Sequence, residues 1–383
     1  MASKPVNSHS VQRRWLALSY GFFILLLVLG SFFWRFYGTR HQLTNHHEML
    51  IPVQEPLAHE GDRTVEVGLL VDNTYNFEPD KKTFDANGWV WLKWSPEIEA
   101  RLKARRLNVE QLFYFYNQVS DWDLQITSVT ESAQKLADGR YYQRFRFAGH
   151  FYANELDFRK YPFQVVRLPM AFELNPEKLL EKGEEFNLVL DQTNSGVGAY
   201  IDLGGYLTTG YSFRNFLHRY ESVMGESEEM ANHHQVPQAR MEIAYEKALV
   251  ATVLKLLLPL VTVMAVALFS PAISSSGWDV RVGIPPTALL TLIFLQQTYQ
   301  NWLPELPYIT FLDTVYNLCY FANLSLFGLF LWGTNEYSLA SEAEKPQVVE
   351  RIDRVDRYFQ AILFVLLILG ISANWLFIAD SFD

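Results

Sequence analysis

Arg281 to Asp313 reads RVGIPPTALLTLIFLQQTYQNWLPELPYITFLD, and its first two-thirds has the composition of a membrane helix with a polar stripe. Steps of four and three residues put Gly283, Thr287, Leu290, Phe294, Gln297 and Asn301 on one face. Thr, Gln and Asn gain nothing from hydrocarbon, whereas water between copies of the helix would solvate them. The stripe therefore predicts the wall of a pore. Pro285 and Pro286 constrain where the helix begins, because an interior proline removes a hydrogen bond and costs about 3 kcal/mol. A start at Gly283 or Ile284 would put both in the first turn, where amides lack internal partners. The helix is accordingly expected over 283–302.

Apolar residues make up 49% of the chain and are gathered in blocks, the pattern of a membrane protein. Five runs could cross a hydrocarbon core of about 30 Å: Trp15 to Phe36, Leu249 to Phe269, Ile284 to Asn301, Phe311 to Gly333 and Tyr358 to Ile378. The first follows Arg13-Arg14 and lacks a small-residue cleavage pattern. It reads as an uncleaved anchor over 15–37 behind a cytoplasmic tail, 1–14, with a cleaved signal peptide as the alternative. Alternation then puts the polar region 40–246 outside, Ser270 to Val280 inside, Leu303 to Thr310 outside and Asn335 to Arg357 inside. Basic residues agree, since Lys345, Arg351, Arg354 and Arg357 lie in the last of these and none lies in Leu303 to Thr310.

A formal charge of −10 speaks against nucleic acid, whose phosphates need a basic surface. The single cysteine, Cys319, excludes an intrachain disulfide and a cysteine metal cluster. No nucleophile elbow, zinc-type histidine pair on a helix or phosphate-binding glycine loop is present, so neither catalysis nor a cofactor or metal is expected.

The polar region contains strand-like segments: VEVGLLV at 65–71, GWVWLKW at 88–94, YYQRFRFAGHFYA at 141–153 and FQVVRLPMAF at 163–172. Short or alternating apolar runs between turn residues predict an antiparallel β-sandwich over 63–247, behind a linker at 38–62. The expected fold is thus one N-terminal membrane helix, a β-sandwich, and a four-helix membrane bundle over 248–380. The bundle helices fall near 248–270, 283–302, 309–333 and 356–379.

The pore stretch resembles the pore helix and following linker of the pentameric ligand-gated (Cys-loop-type) ion channels. The matching features are Arg281, Gly283, Leu290, Leu303-Pro304, Tyr308 and Asp313. Asn154 to Leu168, NELDFRKYPFQVVRL, is similar to that family's signature loop, with Asp157 and Tyr161-Pro162-Phe163 at matching positions. Asn154 and Leu168 stand where animal members carry cysteines, as in the bacterial members. The loop departs from the family at Gln164 and Val166, where Asp and Gln are usual. LFYFYNQ at 112–118 is similar to the first aromatic binding segment, with Tyr116 at the ligand position. WVWLKW resembles the complementary strand, with Trp89 or Trp91 as ligand aromatic. KALVATVLKLLLPL at 247–260 resembles the start of the first bundle helix, with Lys247 in place of the usual Arg and Pro259 at the matching proline.

The resemblance implies a homopentamer in a bacterial inner membrane, its sandwich in the periplasm, opening to ions on binding a small molecule or protons. Leu290 and Phe294 would form stacked apolar rings that gate by expelling water. Asp279 would place a ring of carboxylates at the inner mouth, which favours cations. Val280 stands where the family's cation channels usually carry an acid, so the resemblance leaves the sign open. Coupling is expected from the turn Tyr75 to Lys82, the loop tip at Tyr161, Pro162 and Phe163, and the linker through Pro304 and Tyr308. Lys247 would act with Asp313 or Asp157. Plainer readings exist: core packing for Trp89, Trp91 and Tyr116, and, for Glu226, Glu228, Glu229, His233 and His234, a solvated hairpin tip rather than a site for a cationic ligand or a metal. A non-conducting membrane sensor of the same architecture is the alternative function.

Overall fold

The computed structural model describes residues 48–53, 63–181, 184, 186–220, 222 and 235–380. The expected anchor at 15–37 and the acidic, histidine-bearing hairpin tip lie outside the described residues. The chain forms two compact units, one of strands and one of helices. Phe158–Gln164 belongs to the helical unit, although in sequence it joins two strands.

The strand unit comprises β1 (Glu48–Val53), β2 (Thr64–Glu78), β3 (Thr83–Trp94), β4 (Phe113–Phe115), β5 (Gln125–Ser128), β6 (Gln134–Lys135), β7 (Tyr141–Tyr152), β8 (Val165–Leu174), β9 (Asn187–Leu190), β10 (Gly196–Val197), β11 (Leu207–Tyr220) and β12 (Gln235–Glu246). One sheet runs β1-β11-β12-β8-β4; the other runs β10-β2-β3-β7-β5, with β6 on β7 and β9 on β2. Alternation decides which side chains enter the core. On β3, Val90, Leu92 and Trp94 are buried, while Trp89, Trp91 and Lys93 face away from it. Between the sheets Phe115 packs against Phe147, Phe151 and Phe172 at centroid separations of 5.1, 5.4 and 5.9 Å. The first pair is tilted and the other two meet edge-on, the latter being an arrangement aromatic rings favour. A short helix, α1 (Pro96–Arg105), follows β3; Ser95 caps it by accepting from the Ile98 amide, and Arg106 ends it at φ 54°.

The linker expected at 38–62 is corrected in part, because Glu48–Val53 is a strand hydrogen-bonded along β11. Pro52 suggests a break, yet a missing N–H is tolerated on the outermost strand of a sheet, which β1 is.

Four helices in the second unit are long and apolar enough to cross a membrane. They are α2 (Leu249–Ala272), α3 (Trp278–Gln300), α4 (Phe311–Leu339) and α5 (Lys345–Asp380). Pro259 would clash with a carbonyl one turn back, and α2 accommodates it with a π-helical turn at Val253–Leu257 just before it. The expected start of α3 at 283 is also corrected. The helix begins at Trp278, so Pro285 and Pro286 lie inside it. The carbonyls of Arg281 and Val282 therefore lose their usual helical partners.

Candidate functional site

On α3 the buried residues are Arg281, Pro285, Ala288, Leu292 and Tyr299. They recur at steps of four and three and form the face packed on the chain's own helices. The six residues of the polar stripe, Gly283, Thr287, Leu290, Phe294, Gln297 and Asn301, are all exposed. Leu290 and Phe294 are more than half exposed, at 54% and 59%. Near the foot, Gly283 and Thr287 also line a cleft of about 410 Å³ against Thr262 and Val266 of α2. The hydroxyls of Thr262, Thr287 and Thr291 are spent on carbonyls of their own helices. Asp279 is exposed in the first turn of α3, where its charge suits the helix dipole whatever else it does.

Several coupling candidates meet within the helical unit. Tyr161, joined to Pro162 by a cis peptide bond, stacks on Tyr299 at 6.0 Å. Phe163 packs against Phe311 and Trp375, at 6.3 and 5.7 Å. The Tyr308 hydroxyl accepts from the Phe158 amide at 3.1 Å, and its ring lies under the Arg159 guanidinium at 5.0 Å. Arg159 also accepts, through its carbonyl, the Phe311 amide at 2.8 Å. Asp313 closes a capping box with Thr310 and accepts a hydrogen bond from Tyr299. Pro304 is half-buried in the linker between α3 and α4. The departure at Gln164 has a physical counterpart: its amide is buried without a hydrogen-bond partner among the described residues.

Lys247 and Asp157 fall in the strand unit. Asp157 is exposed. The Lys247 ammonium lies 5.8 Å from the Tyr206 ring, and burial pushes it below the usual lysine range.

Core packing does not account for Trp89 and Trp91. Both wall a cleft of about 360 Å³ on the outer face of β3 and β7, together with Leu70, Lys93, Tyr142 and Arg144. Trp91 is fixed twice. Its indole lies so close over Gly68 that a Cβ there would come within 2.0 Å of it, and its Nε1 donates to Asp191 at 3.1 Å. Asp191 also accepts from Lys93 at 2.9 Å and from Asn194 at 2.8 Å. Burial opposes its ionisation, but these bonds prevail and hold the carboxyl at about 2. Lys93, equally opposed by burial, is held above its ordinary value by Glu66 and Asp191. The signal for Arg144 was readable as YQRFRF, which alternates cationic and core residues opposite the tryptophans.

Tyr116 sits in a second niche that carries no sequence signal, since its partner Glu48 lies in the stretch expected as linker and forms β1 instead. Its hydroxyl donates to Glu48 on β1, and its ring meets His218 edge-on at 4.7 Å. His218 is fully buried, with Nδ1 2.8 Å from Glu173 and Nε2 2.7 Å from Glu48. Glu173 further accepts from Gln238 at 2.6 Å and from Tyr114 at 2.6 Å. The Tyr220 ring, from the same strand, lies 4.1 Å from that of His218 at a tilt of 41°.

Burial disfavours the His218 cation, but the hydrogen bond to Glu173 and the charges of Glu173 and Glu48 outweigh it and raise its pKa. The flanking tyrosines Tyr114, Tyr116 and Tyr220 are pushed up, chiefly by burial, and stay neutral. A raised histidine stabilises the fold fully below its unfolded value of about 6.5, and that contribution is lost as pH rises through the folded value. Amide exchange in Glu48–Val53 is therefore expected to accelerate above that value beyond the intrinsic effect of base, and Glu48→Gln should flatten the excess. Equal pH profiles for the two proteins would show that the pair does not hold β1.

Neither family models nor curated proteins yield a match to this sequence. The functional reading rests on the residues.

Proposed function

We propose that the chain is the subunit of a homopentameric ligand-gated ion channel, with α3 lining a central pore and the sandwich binding the activating ligand. One observation carries the reading. The helix that buries one face against its own chain leaves uncovered the face bearing Thr287, Leu290, Phe294, Gln297 and Asn301. Lipid would not reward the amides of Gln297 and Asn301, whereas a ring of copies gives them water. The sequence resemblance to the pentameric channels supplies the number five, and cyclic symmetry closes such a ring without loose ends. Phe158–Gln164 is covalently continuous with β7 and β8 yet packs among the helices. It is the segment through which a change in the strands would bias the pore, as a population shift set by differential affinity.

Cysteines introduced at 287, 290, 294 and 297 should react with a water-soluble thiol reagent and block current. Cysteines at the buried positions 288 and 292 should not. Reaction confined to 288 and 292, or none at the stripe, would sink the pore assignment. Native mass spectrometry should give five subunits.

Asp279 stands at the inner end of the proposed pore. Asp279→Asn should reduce cation preference and move the reversal potential in a salt gradient toward the value for no selectivity. An unmoved reversal potential would place the selectivity ring elsewhere.

A further inference from the structure

The cleft over β3 and β7 has a definite charge character. Three cations lie on or beside it. Lys93 is occupied by Glu66 and Asp191, at 2.7 and 2.9 Å. Arg146 lies 3.7 Å from Asp72. Arg144, by contrast, has no carboxylate partner among the described residues. Its guanidinium rests 4.9 Å from the Trp89 ring centroid, with its head exposed beside the cleft. The one acid that lines the cleft, Asp191, is already met by Lys93, Trp91 and Asn194. A ligand entering here meets fixed aromatic surface and one uncompensated positive charge.

We propose that this cleft is a binding site for a small anion with a flat apolar body, an aromatic carboxylate, held by Arg144 and packed on Trp89 and Trp91. Guanidinium offers a planar fork of donors and no acceptor, which matches a carboxylate and repels an amine. The indole of Trp91 is held in place before the ligand arrives, by the Gly68 backbone beneath it and by Asp191 at its edge. Little ordering is then left to oppose binding. The volume, about 360 Å³, lies at the small end of the range for ligand pockets, about 300–1,000 Å³, and suits a single ring with one acidic group. The site deepens the proposed function by naming its ligand class, and it rests on that reading only in taking the sandwich as the ligand-binding unit.

Benzoate, benzylamine and benzyl alcohol share a ring and differ in charge. Each is titrated into the purified full-length protein in detergent, followed by ligand-observed NMR and calorimetry. Benzoate should bind with a Kd of about 0.1–1 mM, a range open to so small a ligand, and the other two at least about tenfold more weakly. Arg144→Gln should weaken benzoate by about tenfold or more, as expected for a lost charged hydrogen bond, with unchanged near-ultraviolet circular dichroism. Arg144→Lys should fall between. Binding of benzylamine as tight as benzoate, no benzoate binding at 10 mM, or an unchanged affinity in Arg144→Gln would overturn the site. So would loss of the oligomer in Arg144→Gln, since this face would then be a contact between copies. No current is read, so the two claims fail separately: a protein that conducts but ignores benzoate overturns the site alone, and one that binds benzoate but never conducts overturns the channel alone.

Discussion

Leu290→Ser is expected to give a standing current with no ligand present. Leu290 projects from the uncovered face of α3, one turn before Phe294 on the same stripe. In a ring of copies these two positions form the narrow apolar belt, and such a belt holds the pore shut by excluding water rather than by filling it. A hydroxyl at 290 gives water a hydrogen-bonding wall and removes the penalty for wetting. The substitution occurs once per subunit, so its effect multiplies. Even about 0.5 kcal/mol per subunit totals roughly 2.5 kcal/mol for a pentamer, a change of about 60-fold in the closed-to-open ratio. Holding current in a bilayer or an expressing cell, normalised to surface protein, reads it directly. An unchanged closed-state current at normal surface level would remove Leu290 from the gate, while Phe294→Ser would ask whether the next ring carries that role.

The elements legible in the sequence were those with a strict period. GWVWLKW alternates and so marks a strand, but tryptophan stands on both of its faces and does not mark the core side; the structure buries Val90, Leu92 and Trp94 and leaves Trp89 and Trp91 on the other face. The membrane helices announced themselves by length and apolarity. One departure from expectation came from proline. Pro285-Pro286 suggested a helix start that lies five residues upstream, because Trp278 to Gly283 complete a turn and more before the prolines. The stretch expected as linker holds β1, whose Pro52 is tolerated because the rule against proline in strands relaxes at a sheet edge, which sequence alone does not reveal. With β1 unmarked, the partner of Tyr116 is unmarked too: between ligand contact and packing, its hydroxyl is engaged by Glu48 of the chain's own first described strand. The charged cleft was half legible. The tryptophans stood out, but the emptiness of Arg144 depends on which acids pair with Lys93 and Arg146, and such pairings between distant segments leave no periodic trace.

Breaking the ion pair between Arg281 and Asp356 should destabilise the helical unit more than any other single side-chain change proposed for it. Arg281 is 3% exposed and Asp356 is fully buried, and the guanidinium also stands 4.5 Å from the centre of the Phe330 ring. The pair thus ties the foot of α3 to α5 across α4, beside the turn where Pro285 and Pro286 leave carbonyls without helical partners. Removing one member strands the other charge away from water, a loss of about 3–5 kcal/mol. Replacing both with apolar residues of similar bulk strands nothing and is often close to neutral. Arg281→Met or Asp356→Leu alone should therefore lower the unfolding midpoint of the purified protein in detergent, by roughly 6–20 °C on the usual scaling for a domain of this size. The double variant should recover most of that loss. The recovery is the discriminating result, because a pair that contributed only packing would show two losses that add rather than cancel. If the double variant is the least stable of the three, the foot of α3 is held by packing around Phe330, and the ion pair is incidental to it.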